Sequence, residues 1–344
     1  MPRGALTEEE LDERLSRPTP GVQRALERCP GDVIVLGAAG KMGPSLARML
    51  RRAMDDAGST SRVIAVSRFS APAARKEMER QGIETIACDL LDRSAVARLP
   101  DAPNVIYMAG QKFGTTDAPA VTWMMNTVAP AIAAERYAGA GVCFVAFSTG
   151  NIYPLVRVAS GGARESDAPA PVGEYAASCL GRERVLEYHA ARYGTPTAIV
   201  RLNYAIALRY GVLTDIAAAV WRGEPVDVGM GSVNVIWQGD ANAWAVRCLA
   251  HASVPPFVIN VTGRETVSVR SVAQRFGELL DRTPRVVGTE RDDALLSDAT
   301  LAHQRFGAPT VSLDEMITMT AEWVRAERPL LGKPTHFQAR DGRF

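Results

Sequence analysis

The stretch that decides the fold is Val33-Ile34-Val35-Leu36-Gly37-Ala38-Ala39-Gly40-Lys41-Met42-Gly43. Four consecutive apolar residues are typical of a strand that is buried on both faces of a parallel sheet. Three glycines spaced GxxGxxG follow at once, and Pro44 suits the first turn of a helix. Such glycines permit a sharp turn and let a pyrophosphate approach the helix N-terminus. The stretch predicts a phosphate-binding strand, turn and helix; the alternative is a tight turn that binds no ligand.

Apolar runs alternate with helical segments on both sides of this unit. Strands are predicted at Val33–Leu36, Val63–Val66, Thr85–Ala87, Asn104–Met108, Val142–Phe147 and Thr197–Arg201. Helices are predicted between them at about Pro44–Ala57, Ala73–Gln81, Arg93–Leu99, Val121–Tyr137 and Glu174–Tyr193. This alternation indicates parallel strands with right-handed crossovers, and therefore an α/β fold with a doubly wound parallel sheet of the Rossmann type.

The pattern changes after residue 203, where we predict a smaller C-terminal substrate-binding lobe. Its predicted elements are a helix at Gly211–Trp221, a hairpin within Pro225–Trp237, and helices at Asp240–Leu249, Ser271–Leu280 and Leu313–Arg325. The run Phe257–Val261 is predicted to return as a strand to the main sheet.

The chain is accordingly divided into four parts. Residues 1–29 form a helical arm, in which Thr7 and Glu10 have the spacing of a capping box. Residues 30–205 form the Rossmann domain, residues 206–330 mainly the lobe, and residues 331–344 a polar, irregular tail.

The composition excludes several classes of protein. The net charge is only +1, with 39 Lys and Arg against 38 Asp and Glu, so neither nucleic acid nor an anionic membrane is an expected partner. The five cysteines are widely spaced and the four histidines have no ligand spacing, so neither a disulfide framework nor a metal site is expected. With no secretory apolar segment near the N-terminus, a cytoplasmic location is expected.

The end of the second strand bears on the choice of dinucleotide. An acidic residue there would accept from a ribose 2′-hydroxyl, whereas the chain has Ser67-Arg68. Because a guanidinium pairs with a 2′-phosphate, the preferred cofactor is NADP, with NAD as the alternative. If NAD is the cofactor, Arg68 would stack on adenine or face solvent.

Several further motifs follow in a fixed order. They are Cys88-Asp89-Leu90, Met108-Ala109-Gly110, Asn126, Ser148-Thr149-Gly150-Asn151-Ile152-Tyr153, Tyr175, Glu183, Asp240 and Asn260-Val261-Thr262. Together with the glycine loop, this set resembles the extended short-chain dehydrogenase/reductase superfamily, NAD-dependent epimerase/dehydratase type, over about residues 30–330.

The resemblance implies roles for these residues. Tyr175 would be the acid/base, Thr149 with Ser148 would orient the reacting oxygen, and Asn126 would be structural or part of a proton relay. The residues implied to bind cofactor are Gly37, Ala39, Gly40, Lys41, Met42, Gly43, Ser67, Arg68, Asp89, Leu90, Met108, Ala109, Gly110, Tyr175, Cys179 and Asn203. A phenol beside an alcohol or carbonyl can pass a proton while nicotinamide exchanges a hydride. Otherwise Tyr175 is an aromatic residue that packs at a helix start.

The chain departs from the family pattern four residues after Tyr175. The family's YxxxK lysine holds the nicotinamide ribose and lowers the pKa of the phenol, but this position is Cys179. A phenol of pKa near 10 is only about 0.1% ionised at pH 7, so the missing cation matters for oxidation. Three consequences are possible: a reductase that uses the neutral phenol, a substitute cation, or a degenerate dinucleotide-binding sensor or scaffold.

Lys112 is the candidate substitute cation. It follows the fourth strand, at the sheet edge where ligands of such folds bind. It is one of only four lysines, with Lys41, Lys76 and Lys333. The alternative is a solvated loop lysine.

Polar residues of the second lobe are candidates to bind substrate. With Lys112, they are Asn203, Arg209, Asn234 and Trp237. The guanidinium of Arg209 suits a carboxylate or phosphate, unless it forms a surface ion pair. The resemblance and these residues together lead us to expect an NAD(P)-dependent oxidoreductase or epimerase that acts on a hydroxyl or carbonyl of a sugar, sugar acid or small polyol. The resemblance also implies a homodimer.

Overall fold

The computed structural model describes residues 5–112, 114 and 117–343. Within these ranges the strands, in chain order, are β1 Val33–Leu36, β2 Val63–Ser67, β3 Glu84–Ala87, β4 Asn104–Tyr107, β5 Cys143–Thr149, β6 Val156–Arg157, β7 Thr197–Leu202, β8 Ala205–Ile206, β9 Pro225–Asp227, β10 Ser232–Val233, β11 Ile236–Trp237, β12 Phe257–Val261, β13 Val267–Ser268, β14 Arg285–Val287 and β15 Asp293–Ala294.

The helices of the described chain are α1 Glu8–Leu15, α2 Pro20–Arg28, α3 Gly43–Asp56, α4 Pro72–Arg80, α5 Arg93–Ala97, α6 Pro119–Trp123, α7 Ala129–Arg136, α8 Gly173–Tyr193, α9 Val212–Arg222, α10 Gln238–Arg247, α11 Val269–Leu280, α12 Thr300–Phe306 and α13 Leu313–Arg325. A π-helical turn, Met124–Val128, joins α6 to α7, so the long helix predicted at Val121–Tyr137 is interrupted.

The main sheet has seven parallel strands in the order β12-β7-β5-β4-β1-β2-β3. The order reverses at β1, as in doubly wound folds, so the predicted fold class is confirmed. Alternation along β1 explains the two layers of helices, because side chains of a strand point to opposite faces. Val33 and Val35 belong to the core that contains α2, α3, α10 and α12, whereas Ile34 and Leu36 belong to the core that contains α5, α7 and α8.

The Rossmann region receives its last strand from the lobe and is preceded by a helical arm. β12 pairs with β7 in parallel, so the chain returns to the main sheet from the lobe. At the N-terminus, Thr7 and Glu10 form the capping box of α1. The arm contains a second helix, α2, which the sequence reasoning missed; Thr19 caps it and Pro20 occupies its first turn.

The hairpin predicted within Pro225–Trp237 is wrong. Each of the three short strands in this region pairs with a distant segment: β9 with β14, β10 with β13, and β11 with β8. Alternation and glycines show where strands and turns fall, but they do not identify the pairing partner. These strands and helices α9, α11 and α13 enclose a separate apolar core, the core of the second lobe.

The segment after α13 is irregular and yet packed against the protein. Residues 326–343 contain no helix or strand, but Thr335 and Phe337 are only 2% and 6% exposed. Across the described chain, no helix combines the length and apolar character that crossing a membrane requires.

Candidate active site

A cavity of about 260 Å³ lies at the carboxyl edge of the main sheet, between the sheet and the second lobe. Ligands of doubly wound folds bind at this edge. Residues of the glycine loop, of the ends of β4, β5 and β7, of α8 and of the second lobe line it: Gly37, Gly40, Lys41, Met42, Gly43, Met108, Lys112, Phe147, Ser148, Thr149, Asn151, Tyr175, Leu202, Asn203, Tyr204, Ala205, Tyr210, Gly211, Val212 and Thr335.

The glycine loop has the close packing of a phosphate-binding turn. Gly37 has a φ of +92°, and a Cβ there would lie 2.5 Å from the Ala109 backbone nitrogen. A Cβ on Gly43 would likewise meet the backbone of Ala38. No described side chain caps the N-terminus of α3, so its backbone N–H groups are available to an anion. These residues fit the pyrophosphate of a dinucleotide.

Tyr175, in the first turn of α8, lines the cavity. Thr149 and Cys179 are its polar neighbours: hydrogen bonding with Thr149 lowers the pKa of the phenol, and hydrogen bonding with Cys179 raises it. Burial raises the pKa of the Tyr175 phenol, and the neighbouring Cys179 raises it further. The phenol is therefore protonated at neutral pH, ready to donate a proton.

The lysine position of the family pattern is filled by a buried thiol. Cys179 is only 1% exposed, and burial raises its pKa, so it is a neutral thiol rather than a nucleophile. A cation that the sequence reasoning missed, Arg182, lies one turn further along α8 and lowers the pKa values of both Tyr175 and Cys179. Its seven-residue spacing from Tyr175, which puts both on one helix face, could have revealed it.

Lys112 lies beside Tyr175, with its Nζ 5.9 Å from the centroid of the phenol ring. The ammonium donates to the Thr335 carbonyl over 3.3 Å. Burial lowers the pKa of Lys112 to about 8, while Asp215 and Cys179 act in the opposite direction. The structure thus brings the predicted substitute cation to the candidate acid/base.

Lys41 reaches across the cavity from the glycine loop. Its Nζ donates to the Ala205 carbonyl over 3.2 Å and lies 3.5 Å from the centroid of the Tyr210 ring. Desolvation by the surrounding protein, and then the charge of Lys112, lower the pKa of Lys41. The burial of Lys41 and the charge of Lys112 therefore both favour the neutral amine of Lys41.

Ser148 lines the cavity, but its hydroxyl is hydrogen-bonded within the protein. Its Oγ donates to Glu183 over 2.5 Å, and Glu183 forms a buried ion pair of 2.7 Å with Arg201. Arg201 also donates to the Tyr153 hydroxyl over 2.7 Å. Because its proton is directed to Glu183, Ser148 fixes the end of β5, and Thr149 remains the hydroxyl that meets Tyr175.

Asn126 does not line the cavity. Its Oδ1 accepts from the Gln111 backbone N–H and from Arg182, and its Nδ2 donates to the Gln111 carbonyl and the Ser178 hydroxyl. With these bonds the amide is satisfied. These contacts fit the structural alternative for Asn126: it positions Arg182 and the loop before Lys112.

Asn203 borders the cavity, but two other candidate substrate residues do not. Asn203 donates to Asn234 over 2.8 Å, and no described donor reaches its buried Oδ1. That acceptor fits an amide such as the carboxamide of nicotinamide. Asn234 accepts from Asn203 and donates to the Ser297 carbonyl. Trp237 is buried in the core of the lobe. Both substrate interpretations are corrected.

Arg209 lines a second, larger cavity and also forms ion pairs. Its guanidinium forms a 2.7 Å ion pair with Asp12 and a second contact with Glu8, both from α1. The alternative of an ion pair describes this residue, which anchors the N-terminal arm to the second lobe.

The remaining candidate cofactor residues follow the other strands of the sheet. Arg68 is exposed beyond Ser67 at the end of β2, and Asp89 is exposed beside buried Leu90 after β3. Gly110 contacts Arg182, because a Cβ there would lie 2.8 Å from its Nη2. Gly37, Ala109 and Met108 together close the end of β4, so these positions surround one edge of the sheet.

Two further residues near the cavity had no signal in the sequence. Thr335 lies in the irregular tail and Asp215 in the first turn of α9, and they hydrogen-bond each other. Within the described residues, no group of three or more His, Cys, Asp or Glu could hold a metal ion.

Comparisons with known proteins agree with this geometry. MoeE5 in complex with UDP-glucose and NAD is 25% identical, with a TM-score of 0.68 over 86% of this chain and 99% of that chain. UDP-glucose 4-epimerase from Thermotoga maritima with UDP-glucose is 22% identical, with a TM-score of 0.69 over 86% and 99% of the two chains. DesIV, the dTDP-glucose 4,6-dehydratase from Streptomyces venezuelae with NAD and TYD bound, is 20% identical, with a TM-score of 0.73 over 86% and 97%.

At these identities, the epimerase and the dehydratase show a common fold. No curated protein sequence gave a match. The model of the NAD dependent epimerase/dehydratase family matches residues 33–233, more than half of the chain, from the first strand into the second lobe. The chain therefore belongs to the NAD-dependent epimerase/dehydratase family, a family of enzymes.

Proposed function

We propose that this protein is an NAD(P)-dependent oxidoreductase or epimerase that acts on a hydroxyl or carbonyl of a sugar, sugar acid or similar small polyol. One observation carries the proposal: Tyr175, Thr149 and the glycine loop line the same cavity. An acid/base, an orienting hydroxyl and a phosphate-binding turn thus share one site.

Tyr175 acts as the proton donor. Because burial raises the pKa of its phenol, the group holds its proton at neutral pH and can deliver it to a substrate carbonyl oxygen. The Thr149 hydroxyl hydrogen-bonds the same oxygen as negative charge develops. When bound, a reduced nicotinamide ring supplies the hydride. The neutral phenol favours carbonyl reduction over alcohol oxidation.

Lys112 and Arg182 supply positive charge near the phenol. Arg182 lowers the pKa of Tyr175, and the Lys112 ammonium lies 5.9 Å from its ring centroid. Both stabilise the negative charge that the phenol acquires when it gives up its proton. They take over the electrostatic part of the role that a lysine at position 179 has in the family pattern.

The preferred cofactor is NADP. Arg68 is exposed at the end of β2, where it can pair with a 2′-phosphate, and the adjacent residue is Ser67 rather than an acid. NAD is the alternative, and the structures of the similar proteins MoeE5 and DesIV contain NAD.

A second candidate function is a dinucleotide-binding sensor or scaffold without hydride chemistry. The observation in its favour is the hydrogen bond between Tyr175 and Cys179, which opposes ionisation of the phenol. Proton donation needs no prior ionisation, so we favour the enzyme.

A homodimer is also proposed, on the basis of exposed apolar side chains along α6, the π-helical turn and α8. They are Val121, Trp123, Met124, Tyr188 and Tyr193. Exposed apolar patches of this kind mark interaction sites. Light scattering during gel filtration tests this proposal, and a monomeric mass contradicts it.

The function is tested by absorbance of the reduced nicotinamide band. The protein is mixed with NADPH or NADH and a panel of keto sugars and keto acids of sugars, and separately with NADP or NAD and the corresponding alcohols. We expect turnover of at least one substrate pair. Cofactor binding without turnover across the panel would favour the scaffold.

A further inference from the structure

The irregular segment 330–342, here called the strap, crosses the cleft between the main sheet and the second lobe. At its start, the Leu331 backbone N–H donates to the Arg209 carbonyl over 3.0 Å. At its end, Gly342 packs against the backbone of Val172 and Gly173, directly before the helix turn that carries Tyr175. The strap therefore runs from the second lobe to the start of α8.

Specific polar contacts hold the middle of the strap in place. The Thr335 backbone N–H and hydroxyl both donate to Oδ2 of Asp215, over 2.7 and 2.6 Å. The Thr335 carbonyl accepts from Lys112 over 3.3 Å. Arg340 donates to the Gly229 carbonyl over 3.2 Å and to the Asp293 carbonyl over 3.0 Å. These contacts give the strap a fixed course and connect it to Lys112, next to the candidate acid/base.

The strap lies between two cavities. Thr335 lines the 260 Å³ cavity that contains Tyr175. On the other side, a cavity of about 400 Å³ is lined by Asp215, residues of α9 and other strap residues, among them Lys333, Pro334 and Phe337. Tyr210 borders both cavities, so Tyr210 and the strap form the partition.

This partition limits the size of a substrate. Pockets for drug-sized ligands measure about 300–1,000 Å³, so the catalytic compartment is small, and a nicotinamide ring must share it. A nucleotide-linked sugar needs sugar, diphosphate and nucleoside subsites in one continuous cleft. A diphosphate leading away from a sugar at Tyr175 towards the larger cavity would meet Thr335 and its neighbours in the strap.

We propose that the strap is a specificity-determining wall, which admits a free sugar or sugar acid to Tyr175 and excludes substrates that carry a nucleoside diphosphate. This inference rests on the proposed function for the identity of the site, and it narrows the substrate class. It distinguishes the substrate of this chain from the ligand of the structurally similar MoeE5 and UDP-glucose 4-epimerase, whose structures contain UDP-glucose.

The test is a binding measurement, which does not depend on turnover. Isothermal titration calorimetry with UDP-glucuronate and with UDP is carried out on the full chain saturated with NADP or NAD, and on a chain that ends at Pro329. We expect no binding to the full chain and binding to the shortened chain. Equal affinity in the two chains, whether tight or undetectable, would overturn the proposal.

Point variants provide a second test in case the shortened chain does not fold. Thr335→Ala combined with Asp215→Asn weakens the central anchor without removing any residue, and Ser160→Ala, at an exposed hydroxyl, serves as the control. We expect measurable binding of UDP-glucuronate in the double variant only. An unchanged affinity in the double variant contradicts the wall.

Turnover by the intact enzyme separates the two proposals. Matched pairs such as glucuronate and UDP-glucuronate are compared by kcat/KM. A kcat/KM about 100-fold or more higher for the free compound supports the wall. Comparable kcat/KM values overturn the wall but agree with the proposed oxidoreductase function. Absence of turnover with every compound counts against the proposed function, while the binding experiment still decides the role of the strap.

Discussion

The Nζ of Lys112 lies 5.9 Å from the ring centroid of Tyr175, although 63 positions in the sequence separate the two residues. They meet because the loop after β4 and the first turn of α8 both end at the carboxyl edge of the sheet. The Asn126 amide accepts from the Gln111 backbone N–H and so holds the residue before Lys112. The cation is therefore positioned by the fold beside the phenol, at a site where the family's own lysine is missing.

The first prediction concerns the charge of Lys112. Its pKa of about 8 means that it is an ammonium below that pH and a neutral amine above it. The rate of carbonyl reduction should fall as the pH rises through about 8. Lys112→Ala should lower kcat/KM at pH 7 by about 10- to 100-fold and abolish this limb.

Lys112→Arg is the matched control, because a guanidinium stays charged throughout this range. Its descending limb should move to higher pH. The measurement is a pH profile of kcat/KM followed at the reduced nicotinamide band. A profile that is the same in all three proteins contradicts the electrostatic role of Lys112.

A second prediction concerns Cys179, a neutral, buried thiol. Cys179→Ala removes a group that raises the pKa of Tyr175, but it leaves Lys112 and Arg182 in place. We expect carbonyl reduction to stay within about threefold of the wild-type rate, since proton donation does not need an ionised phenol. Steady-state kinetics check this.

Cys179→Lys is the sharper comparison. The account predicts no gain in activity, since two cations already serve the phenol. If the wild-type protein has no hydride-transfer activity and Cys179→Lys creates it, the scaffold interpretation is correct instead.

The third prediction concerns the cofactor. Arg68→Ala should weaken NADP binding by about tenfold and leave NAD binding unchanged, because only NADP has the 2′-phosphate. Titration of both cofactors by fluorescence measures the two dissociation constants. A preference that survives the substitution refutes the 2′-phosphate role of Arg68.

The parts of the fold that depend on local pattern were predictable from the sequence. The apolar run before Gly37 and the β-α alternation after it led to the parallel sheet, because buried parallel strands need apolar residues on both faces. Leu313–Arg325 has the predicted bounds, since Ser312 and Glu315 form a capping box there. The Pro225–Trp237 hairpin failed because strand pairing between distant segments leaves no local signal.

The site was predictable only in part, for a related reason. The sequence shows that Arg209 and Asn234 have hydrogen-bonding groups. It does not show that Arg209 donates to Asp12, or that Asn234 accepts from Asn203 and donates to the Ser297 carbonyl. Arg182 was detectable from helical spacing, whereas the strap was not. The strap has no periodicity, and its position depends on contacts such as that of Thr335 with Asp215 in α9, 120 residues away in the sequence.

The fourth prediction concerns stability. Glu183 and Arg201 form an ion pair beneath Ser148, and their side chains are 0% and 5% exposed. Glu183→Gln leaves a buried guanidinium without its counter-charge, which should cost about 3–5 kcal/mol of the free energy of unfolding. Urea denaturation measures this loss.

The matched control is Glu187→Gln, which breaks the solvent-accessible pair with Arg184 on the same helix. Exposed pairs contribute about 0–1 kcal/mol, so little change is expected there. Similar losses in the two variants would show that burial does not set the strength of the Glu183–Arg201 pair.

The assignment of Tyr175 as the proton donor is the central claim, and the Tyr175→Phe variant tests it most directly. The phenyl ring keeps the packing but has no proton to give. The measurement is single-turnover absorbance at the reduced nicotinamide band with the best substrate of the panel, together with a cofactor titration. We predict a rate at least about 100-fold lower, with a cofactor dissociation constant within about twofold of the wild-type value. A Tyr175→Phe enzyme that transfers hydride at close to the wild-type rate would contradict the account.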